Sequence, residues 1–201
     1  YEKAFVDNGI IPIAWLRAFE RTIISSKEVK NLSDIKNLKI WCMPSVTIQK
    51  EVELLGGITS NIDVGELAPS IQNGTVDAAI SDVALYASQS LHKAGATYLF
   101  EAPNDAMVSV FAVSPFWYNK LPDDLKATVA EVANKVVKET EVPYVEQMRA
   151  NATKAMVGDG LKVTTPGEDV RAAFISAITS SPGVVTFKPS PTIALVALAL
   201  I

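Results

Sequence analysis

Short apolar runs alternate with polar, turn-forming stretches along this chain, and their spacing predicts alternating strands and helices. Gly9 to Ile24 reads as strand, with Ile10, Ile11, Ile13, Trp15, Phe19, Ile23 and Ile24 supplying apolar and β-branched content. Ser25-Ser26-Lys27 interrupts that run, and Leu32 to Ile35 suggests one helical turn before a strand at Leu38 to Met43. Val46, Gln49, Val52 and Leu55 then fall at helical spacing, with Gly56-Gly57 as the stop. A strand at Ile58 to Ile62 leads into Asp63-Val-Gly-Glu66, a capping-box variant, and a helix ending at Asn73-Gly74. Thr75 to Ser81 is the next strand, followed by a helix from Asp82 to Lys93. This order implies a parallel α/β layer. Thr97 to Phe100 and Met107 to Val113 are further strands, and Pro122 opens a helix with Asp123 and Asp124 in its first turn. Its pattern runs to Val157, about 50 Å of helix. Pro143 inside it predicts a kink, and the length suggests a brace across two lobes. Leu161 to Thr164 and a helix over Gly167 to Ile178 complete the pattern.

Composition narrows the picture. Of 201 residues, 49% are hydrophobic and 20% charged, an ordinary globular balance. The net charge of −4, with cations scattered singly, argues against nucleic acid as a partner. One cysteine, Cys42, and one histidine, His92, allow neither an internal disulfide nor a Cys/His metal cluster. The opening residues do not form a signal peptide. Three readings stay open for the uncharged end Thr192 to Ile201: a buried terminal strand or helix, a shifted reading frame, or a membrane anchor. The anchor is disfavoured because the stretch falls well short of the roughly 20 residues a span requires.

Asn37 to Ser45 is the segment with most chemical content: a short apolar strand that stops at Pro44 and hands over to a helix. Small ligands in open α/β sheets sit at such strand ends. Trp41 and Met43 alternate there with Ile40 and Cys42, so one of these pairs faces the crevice. Catalytic patterns are scarce. Cys42 with His92 lacks a third orienting group, so Cys42 reads as a core thiol and His92 as a solvated or capping residue. Gly56-Gly57 ends a helix and so makes no phosphate loop. No cofactor is expected, and the chain does not read as an enzyme.

Several segments carry a resemblance: Trp15 to Lys27, Leu32 to Ser45, Val64 to Asp82 with Gln72-Asn-Gly-Thr-Val-Asp77, and Ser114 to Leu125, which opens the long helix with Leu121-Pro-Asp-Asp-Leu125. In this order they resemble the solute-binding proteins of tripartite ATP-independent periplasmic (TRAP) transporters. The resemblance covers about residues 1 to 175. Members of that family are usually much longer, which implies that the N-terminal lobe is incomplete here.

The resemblance implies a two-lobe periplasmic-binding-protein-like α/β fold, with a mostly parallel sheet flanked by helices and a long kinked bracing helix. Residues 1–31 would hold strands of the first lobe and a hinge, 32–105 the α/β ligand-binding lobe, 106–178 the return strand, brace and closing segment, and 179–201 an atypical tail. Lobe closure would hinge near Ser25 to Asn31 and Thr97 to Met107. In the family an arginine of the Lys-Ile-Arg-Val strand grips the ligand carboxylate; here Trp41 stands at that position. The family's Val-Asp-Gly-x-Glu-Asn becomes Val76-Asp-Ala-Ala-Ile80-Ser81, so Ile80 replaces a glutamate. Losing both charges together implies an apolar, aromatic site with a hydroxyl at Ser81. A second family arginine maps to Arg21. The expected ligand contacts are Arg21, Trp41, Met43, Ser81, Trp15 and Val64. The implied function is periplasmic capture of a small organic acid, partly apolar or aromatic, and its delivery to a TRAP-type membrane permease. An extracellular ligand-sensing domain on the same fold and, less favoured, an α/β enzyme using Cys42 are the alternatives.

Overall fold

In the computed structural model, which describes residues 2–101 and 106–179, the apolar run from 9 to 24 divides at Arg21 between two sheets. Helix α1 (Glu2–Asp7) precedes strands β1 (Ile11–Glu20) and β2 (Thr22–Ser25). There follow β3 (Lys39–Trp41), α2 (Val46–Leu54), β4 (Ile58–Ser60), α3 (Leu67–Gln72), β5 (Ala78–Ser81), α4 (Val83–Ser88) and β6 (Tyr98–Phe100). The remainder is β7 (Ala106–Val113), α5 (Pro115–Tyr118), α6 (Asp123–Val136), α7 (Val142–Gly158), β8 (Lys162–Thr164) and α8 (Glu168–Thr179). The expected closing element at 192–201 lies outside the described residues. Among the described residues no helix is long and apolar enough to cross a membrane.

β1 and β7 form an antiparallel ribbon, and the other strands make a six-stranded sheet in the order β4-β3-β5-β2-β6-β8. β3 runs parallel to β4 and β5, and β6 to β8, whereas β2 is antiparallel to both its neighbours. The chain therefore crosses from ribbon to sheet at Arg21, ahead of the 25–31 segment expected to act as hinge. All four residues of β2 are buried, because the strand lies in the middle of the sheet with helices on both faces. On one face Ile48, Val52 and Leu55 near α2 and Phe174 of α8 pack on Ile23, Ile40, Cys42, Ile80 and Phe100. On the other, Leu67 and Ile71 of α3, Tyr86 of α4 and Met156 of α7 pack on Ile24, Trp41, Ala79 and Leu99.

Local chemistry sets the element ends. Asp82 accepts from the Ala84 and Leu85 N–H groups at 2.9 and 3.0 Å, capping α4. The Asp63 carboxylate accepts from the Gly65 N–H at 2.9 Å, so it caps a single tight turn over Val64–Glu66 and the helix proper starts at Leu67. Gly56 holds φ at +88°, and a Cβ on Gly57 would lie 2.8 Å from Ile40 Cδ1. Both glycines are thus required, one for its backbone angle and one for its lack of a side chain. At the other end of the sheet the Asp77 carboxylate accepts from the Lys39 N–H at 3.0 Å and the Lys27 ammonium at 2.7 Å.

The long helix starts after Pro122 as expected, but its irregularity precedes Pro143. Val137–Glu141 winds as a π segment between α6 and α7. Proline has no N–H for the carbonyl four residues back, and the wider winding is one way to absorb the missing bond. α6 packs on β1, while α7 reaches α4 as well as β1, so the brace spans ribbon and sheet.

Tyr86 ties the layers together. Its buried hydroxyl accepts from the Ser81 N–H at 2.6 Å and lies 2.6 Å from the Thr22 carbonyl to which it donates. Burial holds the phenol well above its ordinary pKa, so it remains a donor at any physiological pH. Tyr86→Phe removes the acceptor of one buried N–H and the donor to one buried carbonyl. Urea unfolding should show a loss of about 1–3 kcal/mol, and an unchanged midpoint would refute this role.

Candidate functional site

The carboxyl ends of β3, β4, β5 and β6 meet the amino end of β2 along one edge of the sheet, beside the crossing to the ribbon. Arg21 stands at that crossing, and its Nε lies 4.0 Å from Glu51 Oε2. Both side chains are largely shielded from water, at 13% and 7% exposure. Burial raises the Glu51 carboxyl above its ordinary range, and the Arg21 charge only partly offsets this. Glu51 Oε1 is buried with no hydrogen-bond partner among the described residues. Burial, and then the Glu51 charge, also raise the neighbouring Cys42 thiol. A buried thiol of this kind is a poor nucleophile.

Two further links frame the edge. Arg149 of α7 lies 2.7 Å from Glu20 at the end of β1 and 3.6 Å from Glu101 just after β6. Thr165 donates to the same Glu101 carboxylate at 2.9 Å. One guanidinium thus holds the ends of two strands that leave for different sheets.

The expected contacts distribute unevenly. Met43, just past β3, is 49% exposed, and Val64, in the tight turn before α3, is 38% exposed; both present apolar surface near the strand ends. Ser81 is buried at the end of β5, with its N–H held by Tyr86 and its Oγ 3.5 Å from Asp82 Oδ2. Trp41 is 3% exposed and packs among Ile24, Leu67, Ile71 and Ala79. Its indole N–H donates to the Ile62 carbonyl at 2.9 Å, which pins the loop that carries Val64. Trp15 sits farther back on β1, edge-on to Phe5 with ring centroids 5.5 Å apart. Arg21, Met43, Val64 and Ser81 thus lie at or just beyond the strand ends, Trp41 is buried in the core on the α3 face, and Trp15 stays on the ribbon.

Two expectations require correction, and the core reading of Cys42 agrees with the structure. Trp41 aligns with Ala79 across the parallel pair, so Trp41 and Ile80 point to opposite faces of the sheet and cannot share one neighbourhood. The His92 side chain is only 7% exposed rather than solvated, and its Nε2 lies 3.2 Å from Asp159 beyond the end of α7. Cys42 belongs to the core on the α2 face, whereas His92 is tied to the end of α7, which packs on the other face, so they make no dyad. In α2 the buried positions are Ile48, Glu51 and Val52, while Val46 is 84% exposed. Glu51 was missed for that reason. The signal lay in Ile48, Val52 and Leu55, whose helical stripe passes through an acid at position 51.

The raised Glu51 carboxyl has a measurable consequence. Its folded pKa lies above its ordinary value of 4.5, so between the two values the folded protein binds the extra proton. Stability owed to this group is present in full below 4.5 and is lost as pH rises through the folded value. Glu51→Gln cannot titrate. The stability of wild type minus that of Glu51→Gln should decline from acid to neutral pH in paired urea titrations; a flat difference would show that the carboxylate is well solvated.

The chain from residue 1 to 181 matches the family described as bacterial extracellular solute-binding protein, family 7. A solute-binding protein from Chromohalobacter salexigens is 21% identical over 175 residues, which are 87% of this chain and 51% of that relative. The fold is similar to a TRAP periplasmic solute-binding protein from Ochrobactrum anthropi, whose C-terminus occupies its ligand-binding pocket (TM-score 0.80, 21% identity, 88% of this chain and 55% of that one). A second such protein, from Roseobacter denitrificans with bound β-D-glucuronate, has a TM-score of 0.71 at 20% identity and covers 89% of this chain and 58% of that one. The chain spans about half the length of the relatives it matches. These relatives are binding proteins rather than enzymes, and the mixed α/β fold found here matches theirs over the part this chain covers, with one lobe incomplete. With most of its length matched, the chain belongs to family 7 of the bacterial extracellular solute-binding proteins.

Proposed function

We propose that this chain captures a small organic acid in the periplasm and presents it to a TRAP-type membrane permease. The observation that carries this reading is the shielded Arg21 guanidinium, set where ribbon passes into sheet and where the ends of β3 and β5 converge. Guanidinium is suited to the task because its planar fork donates two parallel hydrogen bonds to a carboxylate. The relative from Roseobacter denitrificans carries β-D-glucuronate, itself a carboxylate, and supports a ligand of this class.

Met43 and Val64 supply an apolar rim, which favours an acid with an apolar or aromatic body. Trp41 serves that rim from beneath, by holding the Ile62 carbonyl, and its only donor is already engaged there. Ser81 offers a hydroxyl beside Asp82, and Trp15 contributes from the ribbon when the lobes approach. Closure is a rotation about the crossing at Arg21, and the Arg149 pairs with Glu20 and Glu101 restrain it.

Arg21→Met tests the reading directly. The variant leaves Glu51 free to take a proton, so the fold is expected to survive. A thermal-shift screen of aliphatic and aromatic acids against neutral analogues identifies the best wild-type ligand. Calorimetry on the variant should then show about 10- to 100-fold weaker binding of that acid, the worth of a charged hydrogen bond. Undiminished affinity would remove Arg21 from the site.

A further inference from the structure

Helix α6 runs for 14 residues, and none of them is buried. At about 100° per residue, Leu125, Val129, Val132 and Val136 fall within about 60° of one another, a stripe of the kind that ordinarily faces a core. Leu125, Val132 and Val136 are 46%, 52% and 39% exposed. Asn134 marks the side of the helix turned to the ribbon, since it donates to the Ile13 carbonyl at 3.2 Å, and the stripe lies on the opposite side. The ribbon is also short of neighbours. Among the described residues β1 and β7 pair only with each other, and Val108 and Phe111 of β7 are exposed. A two-stranded ribbon is marginal by itself, and its open edges invite another strand. The six-stranded sheet, by contrast, carries helices on both faces.

We infer that the ribbon half is an acceptor surface for further polypeptide, which adds a strand to an open edge of the ribbon and lays a helix along the stripe of α6. The occupant is the complementary part of a family-7 receptor. The Chromohalobacter salexigens relative is matched over 51% of its length and the Roseobacter denitrificans protein over 58%, so a large part of each has no counterpart here and must pack somewhere. A strand together with a helix suits the ribbon, because the pair extends it into a sheet beneath a helical layer. The strand gains main-chain hydrogen bonds, and the helix removes leucine and valine surface from water. The surface is the same for any solute, so it stands apart from the organic-acid reading.

The parts of those two relatives that this chain does not match, each produced as a separate polypeptide, are the probes. Mixed with the intact chain at neutral pH, at least one should form an equimolar complex by light scattering and slow hydrogen exchange in β1 or β7 at least about tenfold. Val132→Asp combined with Val136→Asp puts charge on the exposed stripe and leaves the ribbon side of α6 unchanged. The paired aspartates should weaken the complex at least about tenfold in calorimetry. Ile58→Asp, at a similarly exposed position in edge strand β4, should leave it unchanged. Absence of a complex with either probe overturns the inference, as does a complex that the paired aspartates leave intact. A dimer of the chain alone, with β1 or β7 protected in it, assigns the surface to a second copy and overturns it too.

Discussion

Everything at the sheet edge depends on burying β2. Four residues, Thr22 to Ser25, lie in the middle of the sheet, antiparallel to β5 on one side and β6 on the other. Without that strand the parallel pair of β6 and β8 has no hydrogen-bonded link to β3, β4 and β5. Its direction follows from its origin: the chain arrives from the ribbon and enters the sheet at the end where the parallel strands finish. The first residue outside the sheet is then Arg21, held at the crossing by geometry before any ligand is considered. Tyr86 reinforces the arrangement by bonding both the strand and its neighbour.

The alternation of strands and helices was readable because each boundary carries its own chemistry. Gly56-Gly57, Asp82 and Pro122 mark ends by backbone angle, side-chain capping or a missing donor, and those constraints act locally. The split of the first apolar run was not readable, because no glycine or proline marks Arg21 and both strands are equally apolar. The partnership assumed for Trp41 and Ile80 failed for a related reason. Which residues share a sheet face depends on register between strands, and the alignment of Trp41 with Ala79 is a long-range fact. Arg21 could be singled out through its place in the family pattern. Glu51 could have been found from the stripe of α2, had the apolar face been drawn through Ile48 instead of Val46.

The site combines a rigid floor with a charged element that is costly to bury. Trp41, Ile24 and Leu67 are closely packed, and their positions are determined by the core alone. Arg21 and Glu51 lie at the sheet edge, Glu51 on the α2 face opposite that core, at a separation too long for a strong hydrogen bond, and burial acts against the carboxylate. Such a pair contributes little to folding compared with an apolar replacement.

The π segment over Val137–Glu141 has an evolutionary reading. A single wide turn inside a helix shifts the angular phase of everything that follows, so the two halves of the brace need not present the same stripe. Before it, α6 lies along the ribbon; after it, α7 turns a face toward α4. One residue gained or lost in this stretch would change the phase between the halves without breaking the helix. The lobes of related chains could therefore be re-aimed against each other by single-residue insertions or deletions at this point, a far smaller genetic step than redesigning either contact surface.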